Sequence, residues 1–220
     1  MGSSAFENSF NQMNENIENL NLEASNNSYN LLLNGEIMGK ESNSIRNYIL
    51  DSLDKDLEPN STIKNELLRD ITNIEPKDKN YFLFLSYYEY KLVTSLDKLE
   101  IDIIEKIKNA KIIMNHLRLK KYKSLLNNKI AEFYFLIIKQ ETNKLENIKN
   151  KNTSSYDKIK NYLRLCLEHS DSNDNNKKTF LEFKEEIDKK INKIYIKELI
   201  DKENFETAEK IALKIKKNKR

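Results

Sequence analysis

The scarcity of glycine and proline is the feature of this sequence that most restricts its fold. The 220 residues contain three glycines and two prolines. Phosphate-cradling loops, tight hairpins and strained catalytic turns need the backbone freedom of glycine or the rigidity of proline. The chain has almost no material for such loops and turns, and the sequence predicts a structure made mostly of long helices.

Apolar residues recur at helical spacing along most of the chain after about residue 40. The clearest stripe runs through Tyr122, Leu126, Ile130, Phe133 and Ile137. Charged residues occupy the other faces, which is typical of antiparallel helices packed in layers. No alternating strand pattern competes with these stripes. We therefore predict an all-α fold in which antiparallel helices form a layered array.

The N-terminal residues differ in composition from the rest of the chain. Residues 1–40 are rich in Asn, Ser and Glu, and their apolar residues are scattered. We predict an N-terminal extension there that is weakly structured or forms one helix. Residues 41–218 are predicted to form a single helical domain, because the length of the chain suits one sizeable core.

The charges are numerous but nearly balanced. There are 38 Lys plus Arg against 35 Asp plus Glu, which gives a formal net charge of +3. That charge is too small to imply a nucleic-acid partner. No stretch is long and apolar enough for a membrane helix, and the N-terminus lacks the apolar core of a secretion signal. We expect a cytoplasmic protein, with the nucleus as the alternative, and no membrane partner.

No arrangement of side chains in the sequence predicts a catalytic or metal site. His116 and His169 lie far apart, and neither is near a cluster of Cys, Asp or Glu with metal-ligand spacing. The single cysteine, Cys166, falls on an apolar stripe, which favours a core position over a reactive thiol. We predict no metal, no cofactor and no catalytic residue, and therefore a protein that is not an enzyme.

Four of the 11 tyrosines cluster within ten positions, at Tyr81, Tyr87, Tyr88 and Tyr90. Together with Lys91, these rings are able to stack on bases or to line a peptide groove. Aromatic residues at helical spacing more often pack between helices. We favour the interpretation that the cluster belongs to the core.

Two late segments resemble the helix pair near the end of 14-3-3 proteins. They are residues 190–200, KINKIYIKELI, and residues 204–215, NFETAEKIALKI. Ile191 and Asn192 stand at the family's Leu-Asn step, and Ala208 and Ala212 match its spaced alanines. Upstream, the run from Ala131 to Tyr134 is similar to the Gly-Asp-Tyr-Tyr run that opens the family's phosphate-contacting stretch. The likeness covers roughly residues 60–218.

The resemblance implies an amphipathic groove that binds phosphoserine or phosphothreonine peptides. The candidate groove residues are Lys91, Lys98, Tyr134, Ile191, Asn192 and Tyr195. Asn192 would hold the peptide backbone, and the two lysines would supply positive charge. The chain departs from the family at Phe135-Leu136, where 14-3-3 proteins have an Arg-Tyr pair. An alternative alignment places Leu126-Asn127 at the Leu-Asn step, and we prefer the first because the turn and alanines after Ile200 then match.

We therefore predict a non-enzymatic signalling adaptor, a divergent relative of 14-3-3 proteins in which phosphate dependence is weakened or lost. We also expect a homodimer, because family members pair through their first helices. The main alternative is a tetratricopeptide-like scaffold that binds unphosphorylated partners, since Phe205, Ala208 and Ala212 also match the packing pattern of those repeats. A further alternative is nucleic-acid or membrane binding by the basic tail of residues 214–220.

Overall fold

The structure is a computed structural model that describes residues 2–37, 43–56, 63–72, 74–171 and 174–218. Over these ranges there are ten α-helices and no strand. The helices are α1 (Gly2–Glu18), α2 (Leu22–Leu32), α3 (Asn43–Asp56), α4 (Ile63–Asp70), α5 (Pro76–Ser95), α6 (Ile103–Met114), α7 (Lys120–Glu146), α8 (Asp157–His169), α9 (Lys177–Asp201) and α10 (Phe205–Lys217). The predicted all-α array of packed helices is confirmed.

Contacts between the helices divide the chain into two compact units. The first comprises the described residues within Met1–Ile101 together with Lys108–Lys123. The second comprises Asp102–Ile107 and the described residues within Ser124–Arg220. The sequence predicted one domain over residues 41–218, whereas the contacts group the helices in two units. Apolar stripes reveal which face of a helix is buried, but they do not reveal which helices share a core.

The N-terminal residues form two helices, α1 and α2, in place of the predicted weak extension or single helix. Phe6, Phe10, Met13 and Ile17 are buried along one face of α1. These residues follow one another at intervals of four, three and four positions, the spacing of a single helical face. The Asn-rich composition therefore conceals a regular apolar stripe, and the N-terminal helices belong to the first unit.

Helix α5 lies at the centre of the first unit. Its residues from Leu83 to Val93 are all buried, so it has no solvent-exposed face over this stretch. The Tyr87 hydroxyl donates to Asn14 Oδ1 over 3.1 Å. The Tyr88 ring stacks on Tyr29 with the centroids 4.4 Å apart. The prediction that the tyrosine cluster packs in the core is confirmed for Tyr87, Tyr88 and Tyr90.

Two turns between helices use left-handed residues that are not glycine. Leu20 has φ 55° between α1 and α2, and Glu203 has φ 60° between α9 and α10. After Glu203, the Asn204 N–H donates to the Leu199 carbonyl over 2.7 Å, which satisfies an otherwise free carbonyl at the end of α9. Glycine is the usual residue at this position of a Schellman turn. Because these two positions are not glycine, the left-handed backbone is strained at both turns.

The core of the second unit is built by α7, α8 and α9. Ile130, Leu163 and Phe180 are each at most 2% exposed. Cys166 on α8 is also fully buried, and its Sγ donates to the Ala131 carbonyl of α7 over 3.4 Å. Burial raises the pKa of this thiol to about 12. The prediction that Cys166 is a core residue is confirmed.

Candidate functional site

Lys91 and Lys98, the two predicted cations of the groove, belong to the first unit. Lys91 lies on the buried helix α5 and is 5% exposed. Its Nζ lies 3.9 Å from Glu18 Oε1. Lys98 is exposed at the end of the short 3₁₀ turn Leu96–Lys98 that follows α5. The burial and pairing of Lys91 do not favour a role in binding a phosphate from solvent, whereas Lys98 is accessible.

Tyr134, the predicted groove residue on α7, is buried in the second unit. Its ring lies 5.8 Å from the rings of both Tyr162 and His169. His169 Nδ1 in turn lies 3.1 Å from Asn127 Oδ1. The tyrosine is therefore part of an aromatic contact between α7 and α8.

The three remaining candidates lie on α9. Ile191 and Asn192 are half-buried, and Tyr195 is 40% exposed. Asn192 lines an open cleft of about 510 Å³ between α9 and α10. The other residues that line this cleft are Glu185, Asp188, Lys189, Ile215 and Asn218. Two carboxylates and one ammonium group give this cleft no excess of positive charge, and the groove that would join all six candidates stays a prediction.

Phe135, one of the two residues at which the sequence departs from the predicted 14-3-3 pattern, contacts aromatic rings of α9. The Phe135 ring lies 5.0 Å from the Phe180 ring and 5.5 Å from the Phe183 ring. Lys139 Nζ lies 4.9 Å from the Phe135 centroid, within the range of a cation–π contact. Phe135 thus joins α7 to α9, and the predicted alignment with 14-3-3 proteins places it at the position of an arginine.

A second cleft, between α8 and α9, combines an apolar floor with positive charge. It has a volume of about 410 Å³ and is open to solvent. Leu163, which is 2% exposed, and the half-buried Leu167 form the floor. The charged residues that line it are Lys160, Arg164 and Glu168 from α8, and Lys184 and Asp188 from α9. We call these seven residues the α8–α9 cleft.

Local sequence explains why α8 presents this face. The Asn152 side chain accepts from the Ser155 N–H over 3.0 Å, and the Ser155 hydroxyl accepts from the Asn152 N–H over 3.1 Å. This reciprocal capping box fixes the 3₁₀ turn Thr153–Tyr156 that leads directly into α8. Along α8, Lys160, Arg164 and Glu168 recur every four residues, so they share one face beside the leucines.

Three cations and two carboxylates share the α8–α9 cleft. Within the described part of the chain, Lys160 and Lys184 form no ion pair. Arg164 is engaged, because its Nη1 lies 2.5 Å from Glu168 Oε1 and its Nη2 donates to Asn161 Oδ1 over 2.9 Å. Two unpaired ammonium groups beside an apolar floor can bind an acidic side chain whose neighbours are apolar.

Sequence reasoning did not identify the α8–α9 cleft. Its cations are interspersed with acidic residues in the sequence, and interspersed charges usually indicate a solvated helix face. The spacing of Lys160, Arg164 and Glu168 was the available signal on α8. The contribution of Lys184 depends on how α9 packs against α8, which the spacing of residues does not reveal.

Comparisons with known proteins give no family. No protein-family model, no curated protein and no solved structure matches this chain. Over the residues that the structure describes, no helix is long and apolar enough to cross a membrane. The same residues include no group of three or more His, Cys, Asp or Glu side chains placed to hold a metal ion.

Proposed function

We propose that this chain is a non-enzymatic adaptor that binds a segment of a partner polypeptide in the α8–α9 cleft. The observation that carries the proposal is the combination of a leucine floor with unpaired lysines on both walls. The segment that fits has an apolar side chain next to an acidic one, either a phosphorylated Ser or Thr or a carboxylate. The apolar side chain covers the floor and the acidic group lies between Lys160 and Lys184.

The charge of the cleft supports an anionic ligand. A phosphomonoester carries nearly two negative charges at neutral pH. The free-energy cost of removing this group from water is compensated only when several cations converge on it. Lys160 and Lys184 supply two such cations from opposite walls, and Arg164 supplies a guanidinium group that can bind two oxygens at once. This set differs from the one implied by the 14-3-3 resemblance, although the ligand class is the same.

The two helices that form the walls of the cleft pack into the core of the second unit. Leu163 and Cys166 are buried on the inner face of α8, and Phe180 and Ile187 are buried on the inner face of α9. The core of the second unit therefore fixes the backbone of both walls, and helices position the groups of a binding site more precisely than loops do.

Fluorescence anisotropy with three labelled peptides tests the proposal. The first carries one phosphoserine between leucines, the second has glutamate at that position, and the third has serine. We expect the phosphoserine peptide to bind most tightly, and added salt to weaken its binding. Lys160→Glu combined with Lys184→Glu reverses two charges that face the ligand and should lower the affinity by about tenfold or more.

The matched control reverses two lysines outside the cleft. Lys178 and Lys210 are exposed and pair with Glu182 and Glu206 along their own helices. Lys178→Glu combined with Lys210→Glu changes the net charge by the same amount and should leave peptide affinity within about twofold of the wild type. Equal losses in the two double variants would indicate attraction to the overall charge and would contradict binding in the cleft.

The same three peptides, together with labelled DNA and anionic vesicles, separate the alternative functions. Equal binding of the phosphoserine and serine peptides would favour the scaffold that binds unphosphorylated partners. Binding of DNA or anionic vesicles, without binding of any peptide, would favour the basic tail, where Lys214, Lys216 and Lys217 are exposed. The homodimer that the 14-3-3 resemblance implies stays a prediction, and light scattering of the pure protein measures it.

A further inference from the structure

We infer that Glu168 is an internal competitor for the anion that the α8–α9 cleft binds, an inference that rests on the proposed function. In the unoccupied protein the Glu168 carboxylate takes the place of the ligand's anion on Arg164. The partner's acidic group must displace that carboxylate before the guanidinium group becomes available. Glu168 therefore lowers the affinity of the cleft for that group by a few-fold.

The geometry of the pair supports this role. Glu168 Oε1 lies 2.5 Å from Arg164 Nη1, and both residues line the cleft. The two side chains retain 54% and 58% of their accessible surface, so the pair is open to solvent and to a ligand. An exposed ion pair of this kind contributes little to stability and can be exchanged for another anion at low cost.

The position of Glu168 in its helix gives no separate structural reason for a carboxylate. Glu168 lies in the last turn of α8, which ends at His169. The negative end of the helix dipole disfavours an acidic residue there. Removal of the charge should therefore leave the fold intact, and Glu168→Gln isolates the effect on binding from any effect on stability.

Asp188 provides a comparison within the same cleft. It lies on α9 and lines both the α8–α9 cleft and the cleft between α9 and α10. The described part of the chain gives Asp188 no ion pair, so its carboxylate repels an incoming anion without occupying a cation. Asp188→Asn should therefore strengthen binding whether or not Arg164 is present, whereas the effect of Glu168→Gln should depend on Arg164.

The experiment measures the affinity of the phosphoserine peptide in wild type, Glu168→Gln, Arg164→Gln and the double variant. Glu168→Gln should release Arg164 and thereby raise the affinity for the phosphoserine peptide by roughly two- to fivefold. In the Arg164→Gln background the same substitution should change it by less than about twofold. Glu182→Gln is the control, because Glu182 forms the same type of pair with Lys178 outside the cleft, and it should have no effect.

Three outcomes overturn the inference, and they are distinguishable. An unchanged affinity in Glu168→Gln, while the Lys160 and Lys184 reversals abolish binding, leaves the proposed function in place and removes the role of Glu168. An equal gain with and without Arg164 shows simple repulsion in place of competition. No binding of the phosphoserine peptide by any variant removes the proposed function and the inference together.

Discussion

Replacement of Glu89 tests most severely how the first unit is held together. Glu89 lies on the buried helix α5 and its side chain is fully buried. Its Oε1 accepts from the backbone N–H groups of Arg118 and of Leu119, the latter over 3.1 Å. These two N–H groups immediately precede α7 and have no carbonyl partner within that helix. Glu89 therefore connects the centre of the unit to the start of α7.

The magnitude follows from the two hydrogen bonds. Glu89→Ala leaves both N–H groups without their acceptor and creates a cavity beside them. Each such bond to a carboxylate contributes about 1.5 to 3 kcal/mol, but the substitution also removes the cost of burying the carboxylate. We expect a net loss of about 2 to 4 kcal/mol. Glu89→Gln keeps one carbonyl oxygen for the same N–H groups and should cost about 1 kcal/mol.

The pH dependence has a defined sign. Burial raises the pKa of Glu89 above its usual value, against the opposing effect of the hydrogen bonds from the Arg118 and Leu119 backbone. A carboxyl whose folded pKa is raised stabilises the folded state most when it is protonated. The contribution is fully present below the unfolded pKa and is lost as the pH rises through the raised pKa. Glu89→Gln should thus be more destabilising, relative to wild type, at the acidic end of this window.

Urea unfolding at several pH values, followed by circular dichroism, measures these differences. Equal m-values in wild type and variants would show that the same unit is unfolding. A loss below about 1 kcal/mol in Glu89→Ala, where a cost of about 2 to 4 kcal/mol is expected, would refute the reasoning. So would a pH dependence of the opposite sign.

Two further predictions concern exposed residues. Lys121 Nζ lies 2.9 Å from Glu66 Oε2, and this hydrogen bond lowers the pKa of Glu66. Glu66→Gln should cost about 0.2 to 1 kcal/mol at neutral pH, and urea titrations should show this difference vanish as the pH falls through the lowered pKa. Glu203→Gly should stabilise the protein by about 0.5 to 1 kcal/mol, because glycine relieves the left-handed backbone. Glu209→Gly, inside α10, should instead destabilise the protein, and thermal unfolding measures both changes in stability. A change of the same sign in both variants would contradict a strained left-handed backbone at Glu203.

The sequence predicted the class of fold because amphipathic stripes survive in almost every helix. It also predicted that Tyr87, Tyr88 and Tyr90 of α5 and Cys166 pack in the core, since their spacing matched that of buried neighbours. For residues 1–40 the sequence predicted a weakly structured extension or one helix, because Asn and Ser dominate the composition, although Phe6, Phe10 and Met13 of α1 have regular helical spacing. Composition describes the exposed face of a helix as much as the buried one.

The site was harder to predict because it depends on pairs of helices. Lys91 was predicted to supply positive charge to the groove that the 14-3-3 resemblance implies, but other helices surround α5 and Lys91 is buried near Glu18. Nothing in the sequence distinguishes Lys184 from the other lysines, and only the packing of α9 beside α8 places it in a cleft with Lys160. Tertiary neighbours of this kind are not encoded in the spacing within one helix.

Nuclear magnetic resonance of the labelled protein, titrated with the phosphoserine peptide, tests the central claim most directly. If the peptide binds in the α8–α9 cleft, the largest shifts should fall on amides of residues 160–168 and 184–188, and smaller shifts should follow on the surrounding helices. Shifts that concentrate around Lys98, around Asn192 and Tyr195, or on the C-terminal lysines would place binding elsewhere. An unchanged spectrum at saturating peptide would contradict the account.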